Sequence, residues 1–157
     1  NISSNNLSSK VSIVPLAITD HAKVGALKFS NIHWGGALST FDEDFGWDGK
    51  PIDKVFEYQI AGISMDQAKE IFSLPNPKYL KIDVDGLEHF VLSGGKKILS
   101  KTDEVLVEIN DEFSEQKIKS ESLLTSLGFK RELKTHSDLV ENAPGFSSTF
   151  NQIWKRC

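Results

Sequence analysis

Cysteine is nearly absent from this sequence. The single one, Cys157, is the last of 157 residues, so the chain offers neither a disulfide framework nor a cysteine-based metal site. No stretch approaches the roughly 18 uncharged apolar residues that cross a bilayer. The first ten residues are also too polar to form the apolar core of a signal peptide. These absences predict a cytoplasmic protein that does not contact a membrane.

An excess of positive charge is also lacking. The chain has 18 basic and 22 acidic side chains, a net charge of −4, and therefore no general attraction for a phosphate backbone. This excludes nucleic acid as an expected partner. With 39% apolar and 25% charged residues and no internal repeat, residues 1–157 are expected to form one folded domain.

Apolar runs of strand length alternate with helical patterns along the chain, which is typical of an α/β fold. The predicted strands are 11–18, 26–29, 55–60, 79–84, 105–109, 129–133 and 149–154, the last two forming an antiparallel hairpin. Pro15 cannot donate to a ladder, so the first strand is expected at an edge or irregular. Ser64 and Gln67 have capping-box spacing, which predicts a helix over 65–72. Ile118, Leu123 and Leu124 support another helix before Gly128.

Polar side chains follow three of these strands where each strand ends. They are Asp20, then Asp83 with Asp85, then Glu108 with Asn110. Ligands of open α/β sheets bind at the carboxyl ends of the strands, where carboxylates can accept hydrogen bonds from hydroxyl or amino groups. Aspartate and asparagine also form ordinary turns and helix caps, so both interpretations stay open at this point.

The run KIDVDGLEHFVLSGG, residues 81–95, resembles the FkbM family of S-adenosylmethionine-dependent methyltransferases. Asp85 stands where that family usually has glutamate, which shortens the carboxylate without removing it. Residues 14–20 resemble the family's third strand with its Ala-x-x-Asp ending, and residues 151–154 resemble its closing strand. The resemblance therefore extends over nearly the whole chain.

The resemblance implies a class I methyltransferase fold, a mostly parallel Rossmann-like sheet of strand order 3-2-1-4-5-7-6 with an antiparallel C-terminal hairpin. It also implies S-adenosylmethionine as cofactor and a hydroxyl on a small molecule or sugar as methyl acceptor. No Gly-x-Gly occurs in the sequence. The family's first two strands and its glycine-rich turn are therefore expected upstream of Asn1, and residues 1–157 are expected to be a partial domain, truncated at the N-terminus.

The resemblance also implies roles for the polar strand ends. Asp83 is the expected general base, which takes the proton that the acceptor hydroxyl loses. Ala17 and Asp20 are expected on the cofactor side. The residues expected to bind or brace the substrate are Asp85, Glu88, Glu108 and Asn110. His89, directly after the acidic turn, is a second candidate base.

Two other functions compete with this interpretation. Asp83 and Asp85 form an Asp-x-Asp pair, which in a metal-dependent glycosyltransferase holds a divalent ion on a nucleotide sugar. The chain could instead be a non-catalytic fragment that only oligomerises. Without the two upstream strands, strand 79–84 would present an apolar edge, to be covered by strand 11–18 or by a second copy in a homodimer. The long segment 30–50 is expected to be a loop of the kind that builds acceptor pockets, and its Trp34 and Trp47 either form a lid over the substrate or pack the loop onto the domain.

Overall fold

Two four-stranded sheets organise the chain in the computed structural model, which describes residues 1–33, 36–136 and 144–157. The first sheet contains β1 (Ala17–Thr19), β2 (Lys23–Phe29), β3 (Ser39–Phe41) and β4 (Phe56–Ser64). The second contains β5 (Tyr79–Ile82), β6 (Glu104–Asn110), β7 (Phe129–Thr135) and β8 (Thr149–Arg156). The helices are α1 (Met65–Ile71), α2 (Glu88–Ser93), α3 (Lys96–Leu99) and α4 (Ser114–Ser126), with a short 3-10 turn at Pro144–Phe146. Trp34 lies outside the described residues.

The first sheet has the order β1-β4-β2-β3, and only its β1–β4 pair is parallel. In the second sheet only β5–β6 is parallel. The expectation of a mostly parallel sheet is therefore wrong, and both sheets are mixed. In the first sheet the physical reason lies in the connections: the described residues between β2, β3 and β4 contain no helix, and strands joined without a crossover helix pair in antiparallel fashion.

The second sheet has the order β5-β6-β8-β7, which corresponds to the 4-5-7-6 half of the expected methyltransferase order. Its closing β7–β8 hairpin is antiparallel, as predicted. No described strand corresponds to the family's first or second strand, and β5 pairs only with β6 among the described residues. Because β1 pairs with β4, the prediction that the first strand covers the free edge of β5 is wrong.

The strand predicted over 11–18 is reduced to Ala17–Thr19. Pro15 lies in the irregular stretch before it, where its missing N–H leaves no ladder bond unmade. The remaining short strand lies at the edge of the first sheet, as the proline predicted.

The α1 helix begins as predicted, with a capping box. Gln67 N donates to Ser64 Oγ and Ser64 N donates to Gln67 Oε1, both at 3.1 Å. The side chains of α4 differ from the prediction, because Ile118 is 63% exposed while Gln116, Ser120 and Leu124 are buried. The main core lies between the second sheet and its helices, with Val105, Val107 and Ile109 of β6 fully buried. Within the described ranges, no helix has the length and apolar character that a bilayer crossing requires.

Candidate functional site

An acidic turn connects β5 to α2. Asp85 and Gly86 both have left-handed backbone conformations, with φ of 53° and 102°. A Cβ on Gly86 would lie 2.9 Å from Trp47 Cα, so this position requires glycine both for its conformation and for the close backbone contact. The turn therefore presents the carboxylates of Asp83 and Asp85 while the loop that contains Trp47 packs against it.

The carboxylate of Glu88 holds this turn in place through hydrogen bonds to its backbone. Its side chain is fully buried and accepts hydrogen bonds from Val84 N at 3.0 Å and Gly86 N at 3.1 Å, and also from the amide of Gln116. Burial raises the pKa of Glu88, and the hydrogen bonds to its carboxylate, which lower the pKa, offset this only in part. Because all its partners are protein donors, this geometry favours the bracing role over direct contact with a substrate.

Gln116 links Glu88 to the end of β6. Its Oε1 accepts a hydrogen bond from Asn110 N at 2.8 Å, and Asn110 Oδ1 in turn accepts one from Glu112 N at 2.9 Å. Asn110 is almost completely buried, so it holds the end of β6 in place. Sequence reasoning missed Gln116. Its spacing from Ser120 and Leu124, four and eight residues on, is the signal that places it on the buried face of α4.

Asp83 directly follows β5, and Glu108 lies near the carboxyl end of β6, where the charge of Asp83 acts on it. Ile82 pairs with Val107, and the same register carried one residue further brings Asp83 opposite Glu108. Burial, together with the charges of Asp83, Glu88 and Asp85, raises the pKa of Glu108 to about 7, although the charge of Lys81 lowers it. Lys81 Nζ pairs with Asp83 Oδ2 at 2.6 Å. Lys81 belongs to the sequence motif, but the motif by itself indicates no role for this lysine.

Asp85 connects the turn to the long segment before β4. Leu38 N, 47 residues away along the chain, donates to Asp85 Oδ2 at 3.1 Å. Burial raises the pKa of Asp85, and the charge of Asp83 also raises it. The hydrogen bond from Leu38 lowers the pKa, but by less. The ring of Trp47 packs on Phe146 with a centroid distance of 4.3 Å, so it attaches the loop to the domain.

Asp20 and Ala17 belong to the first sheet, where Ala17 in β1 pairs with Gly62. The contacts of Asp20 are local, because its carboxylate accepts from Thr19 Oγ1 at 3.0 Å and pairs with His21 Nδ1 at 2.9 Å. Burial alone would raise the pKa of Asp20, but the hydrogen bonds from His21 and Thr19 outweigh it and lower the pKa.

Asp20 lines a cleft of about 490 Å³ together with His89 of α2. The imidazole of His89 is 3% exposed, and burial lowers its pKa to about 4. The sequence prediction of a second base at His89 therefore corresponds to a buried imidazole that is neutral at neutral pH. Its ring packs on Phe90 with a centroid distance of 4.1 Å.

The two carboxylates of the Asp-x-Asp pair contact different protein donors. Lys81 Nζ pairs with Asp83, and Leu38 N donates to Asp85. Among the residues that the structure describes, no group of three or more His, Cys, Asp or Glu side chains is placed to hold a metal ion. What the site offers instead is a set of close carboxylates, one of which changes its charge near neutral pH. Such a set can accept a proton from a hydroxyl group.

Comparison with known proteins identifies one family. Residues 10–140 match the family model described as "Methyltransferase FkbM domain". Neither the curated proteins nor the solved structures contain a match to the chain. The matched range includes the acidic turn and every site residue predicted from the sequence.

Proposed function

Because the chain belongs to the FkbM methyltransferase family, we propose that it takes part in transferring the methyl group of S-adenosylmethionine to a hydroxyl oxygen on a small molecule or sugar. The observation that supports this proposal is the position of Asp83 and Glu108 just after the paired residues Ile82 and Val107 of neighbouring parallel strands, with the pKa of Glu108 raised to about 7. We place the reaction in the cytoplasm, since a sequence with one cysteine has no disulfide framework.

The described residues fit the cofactor only at its adenine end. The Asp20 side chain is 32% exposed beside the cleft, so its carboxylate can accept a hydrogen bond from an exocyclic amine. Ala17, at the start of β1, would lie on the same side. No glycine-rich turn follows an apolar strand among the described residues, so these residues form no cradle for the methionine end.

The chain's own contribution to catalysis is the handling of a proton. The cofactor, when bound, supplies a methyl group that its sulfonium already activates, so the alignment of the acceptor oxygen is the main requirement. Asp83, which is partly exposed, accepts the hydroxyl proton, and Lys81 holds its carboxylate in place. Glu108 can take up that proton near neutral pH. Asp85 and Asn110 shape the acceptor side, and Glu88 supports the turn.

Cofactor binding is the first test of this function. Calorimetric titration with S-adenosylmethionine and S-adenosylhomocysteine compares residues 1–157 with the product of the whole source reading frame. We expect binding by a product that also contains the first two strands of the family fold, and little or none by residues 1–157 alone. If no form of the protein binds either molecule, the proposal is wrong and the oligomerising fragment becomes the better interpretation.

The role of Asp83 is tested by Asp83→Asn in the form that binds the cofactor. We expect methyl transfer, measured as S-adenosylhomocysteine released with a panel of hydroxylated acceptors, to fall by about 10²–10⁴, the usual cost of losing a general base. Asp103→Asn, at an exposed position outside the cluster, is the matched control. Transfer within about threefold of the wild type would contradict the role of Asp83.

For residues 1–157 on their own we also propose a homodimer, which covers the edge of β5 that no described strand pairs. Tyr79 on this strand is 71% exposed, and an apolar groove of about 360 Å³, lined by Ile18, Met65 and Leu80 among others, lies beside it. Edge strands with apolar surroundings are normally paired or covered. Light scattering at tens of micromolar should show a dimer, which Leu80→Lys should convert to a monomer. A monodisperse wild-type monomer would contradict this proposal.

A further inference from the structure

Three aromatic rings form an exposed cluster on one face of the first sheet. Phe29 of β2 pairs across the ladder with Phe56 of β4, and Tyr58 lies two residues further along the same face. The ring of Phe29 stacks on Tyr58 at 5.6 Å and lies 6.1 Å from that of Phe56. Phe56 and Tyr58 remain 50% and 46% exposed. A contiguous exposed aromatic surface of this kind marks a binding site more often than an isolated exposed ring does.

A pocket of about 650 Å³ opens over these rings. This volume is in the range of small-molecule sites, roughly 300–1,000 Å³. Its described lining contains Ile32, Asn31 and His33 besides the aromatic rings, and no Asp, Glu, Lys or Arg. The Oδ1 atom of Asn31 already accepts a hydrogen bond from His33 N at 3.1 Å. The described lining is therefore mainly apolar, and its hydrogen-bonding side chains are Asn31, His33 and Tyr58.

The pocket adjoins the carboxylate site through β3. Phe29 pairs with Ser39 at the start of β3, and the preceding residue, Leu38, donates its N–H to Asp85. Ser39, which pairs with Phe29, and Leu38, which donates to Asp85 of the acidic turn, are therefore adjacent residues. A ligand that lies on the rings is therefore next to Leu38 and Ser39, the residues that link the pocket to the acidic turn.

We infer that this aromatic pocket, defined by Phe29, Phe56 and Tyr58, binds the apolar body of the methyl acceptor, and that the acceptor is a hydroxylated aromatic compound. The inference rests on the proposed methyl transfer and deepens it. Stacked rings accept a planar aromatic group in an offset or edge-to-face arrangement. A sugar would need hydrogen bonds to several hydroxyl groups, for which the described lining has only Asn31, His33 and Tyr58 and no charged side chain.

The test is a binding titration of residues 1–157 with 2-naphthol, followed by NMR, and needs no cofactor. We expect saturable binding that Tyr58→Ala and Phe56→Ala each weaken by about 5- to 20-fold. Tyr58→Phe, which keeps the ring, should bind within twofold of the wild type. Val24→Ala is the matched control, because Val24 is 72% exposed on the other face of β2. Methyl β-glucoside should bind at least tenfold more weakly than 2-naphthol.

Each other result overturns the inference. No binding of 2-naphthol, equal binding by the Tyr58→Ala and Val24→Ala variants, or tighter binding of the glucoside would show that the rings are not an aromatic acceptor site. Loss of a dimer in Tyr58→Ala would identify the surface as a protein interface instead. Far-UV circular dichroism checks that each variant is folded. A protein that binds 2-naphthol as expected but never consumes S-adenosylmethionine would contradict the proposed function and leave the pocket assignment intact.

Discussion

Replacing Glu108 by glutamine should remove a pH-dependent loss of stability. The folded protein raises the pKa of this carboxyl from its ordinary value of 4.5 to about 7, because the side chain is partly buried beside Asp83, Glu88 and Asp85. Since the folded pKa is the higher one, the folded state binds this proton more tightly than the unfolded chain does. The contribution of Glu108 to the free energy of unfolding is therefore greatest below about pH 4.5 and is lost as the pH rises through about 7.

The size of this effect follows from the interval between the two pKa values. An interval from 4.5 to about 7 corresponds to about 3 kcal/mol. Glu108 is not fully buried, and solvent screening reduces the expected loss to about 1–2 kcal/mol. The side chain at position 108 carries no charge at any pH in Glu108→Gln, so this variant should gain this amount relative to the wild type as the pH rises from 4.5 to about 7.

Urea denaturation at half-unit steps from pH 4.5 to 8, followed by tryptophan fluorescence, measures the difference. The useful quantity is the free energy of unfolding of the variant minus that of the wild type, plotted against pH. Glu104→Gln is the matched control, because Glu104 lies on the same face of β6 but faces Lys155 at 3.6 Å instead of other carboxylates. A difference for Glu108→Gln that stays flat over this range would refute the electrostatic account of the cluster.

Three further predictions concern the structure around the site, each measured by urea denaturation. Gly86→Ala should cost about 2–4 kcal/mol, because alanine is strained at φ 102° and meets the backbone of the neighbouring loop, whereas Gly46→Ala, which meets open space, should cost less than about 1 kcal/mol. Gln116→Leu should cost about 1–3 kcal/mol by leaving Glu88 short of a donor, and an effect no larger than that of the exposed Ile118→Ala would contradict the bracing role. Ser64→Ala should cost about 1 kcal/mol through loss of the α1 cap, and unchanged stability would show that the cap is energetically silent.

Local patterns predicted much of the second sheet. The apolar run of β6, the antiparallel β7–β8 hairpin and the helix that begins after Ser64 are all present. The first sheet was predicted less well, because the pairing of β1 with β4 joins residues more than forty positions apart, Ala17 and Gly62. Strand alternation shows that a segment is extended, but it does not show which distant segment becomes its neighbour.

The same distinction applies to the site. By itself the sequence determined that a strand ends in an acidic turn, that a helix follows, and that the run of residues 81–95 belongs to a methyltransferase family, because periodicity, caps and motifs are properties of neighbouring residues. Only the tertiary structure decided that Glu108 lies beside Asp83, that Gln116 supports Glu88, and that Leu38 holds Asp85. These contacts, and the burial that raises the pKa of Glu108, depend on distances between segments that are remote in the chain.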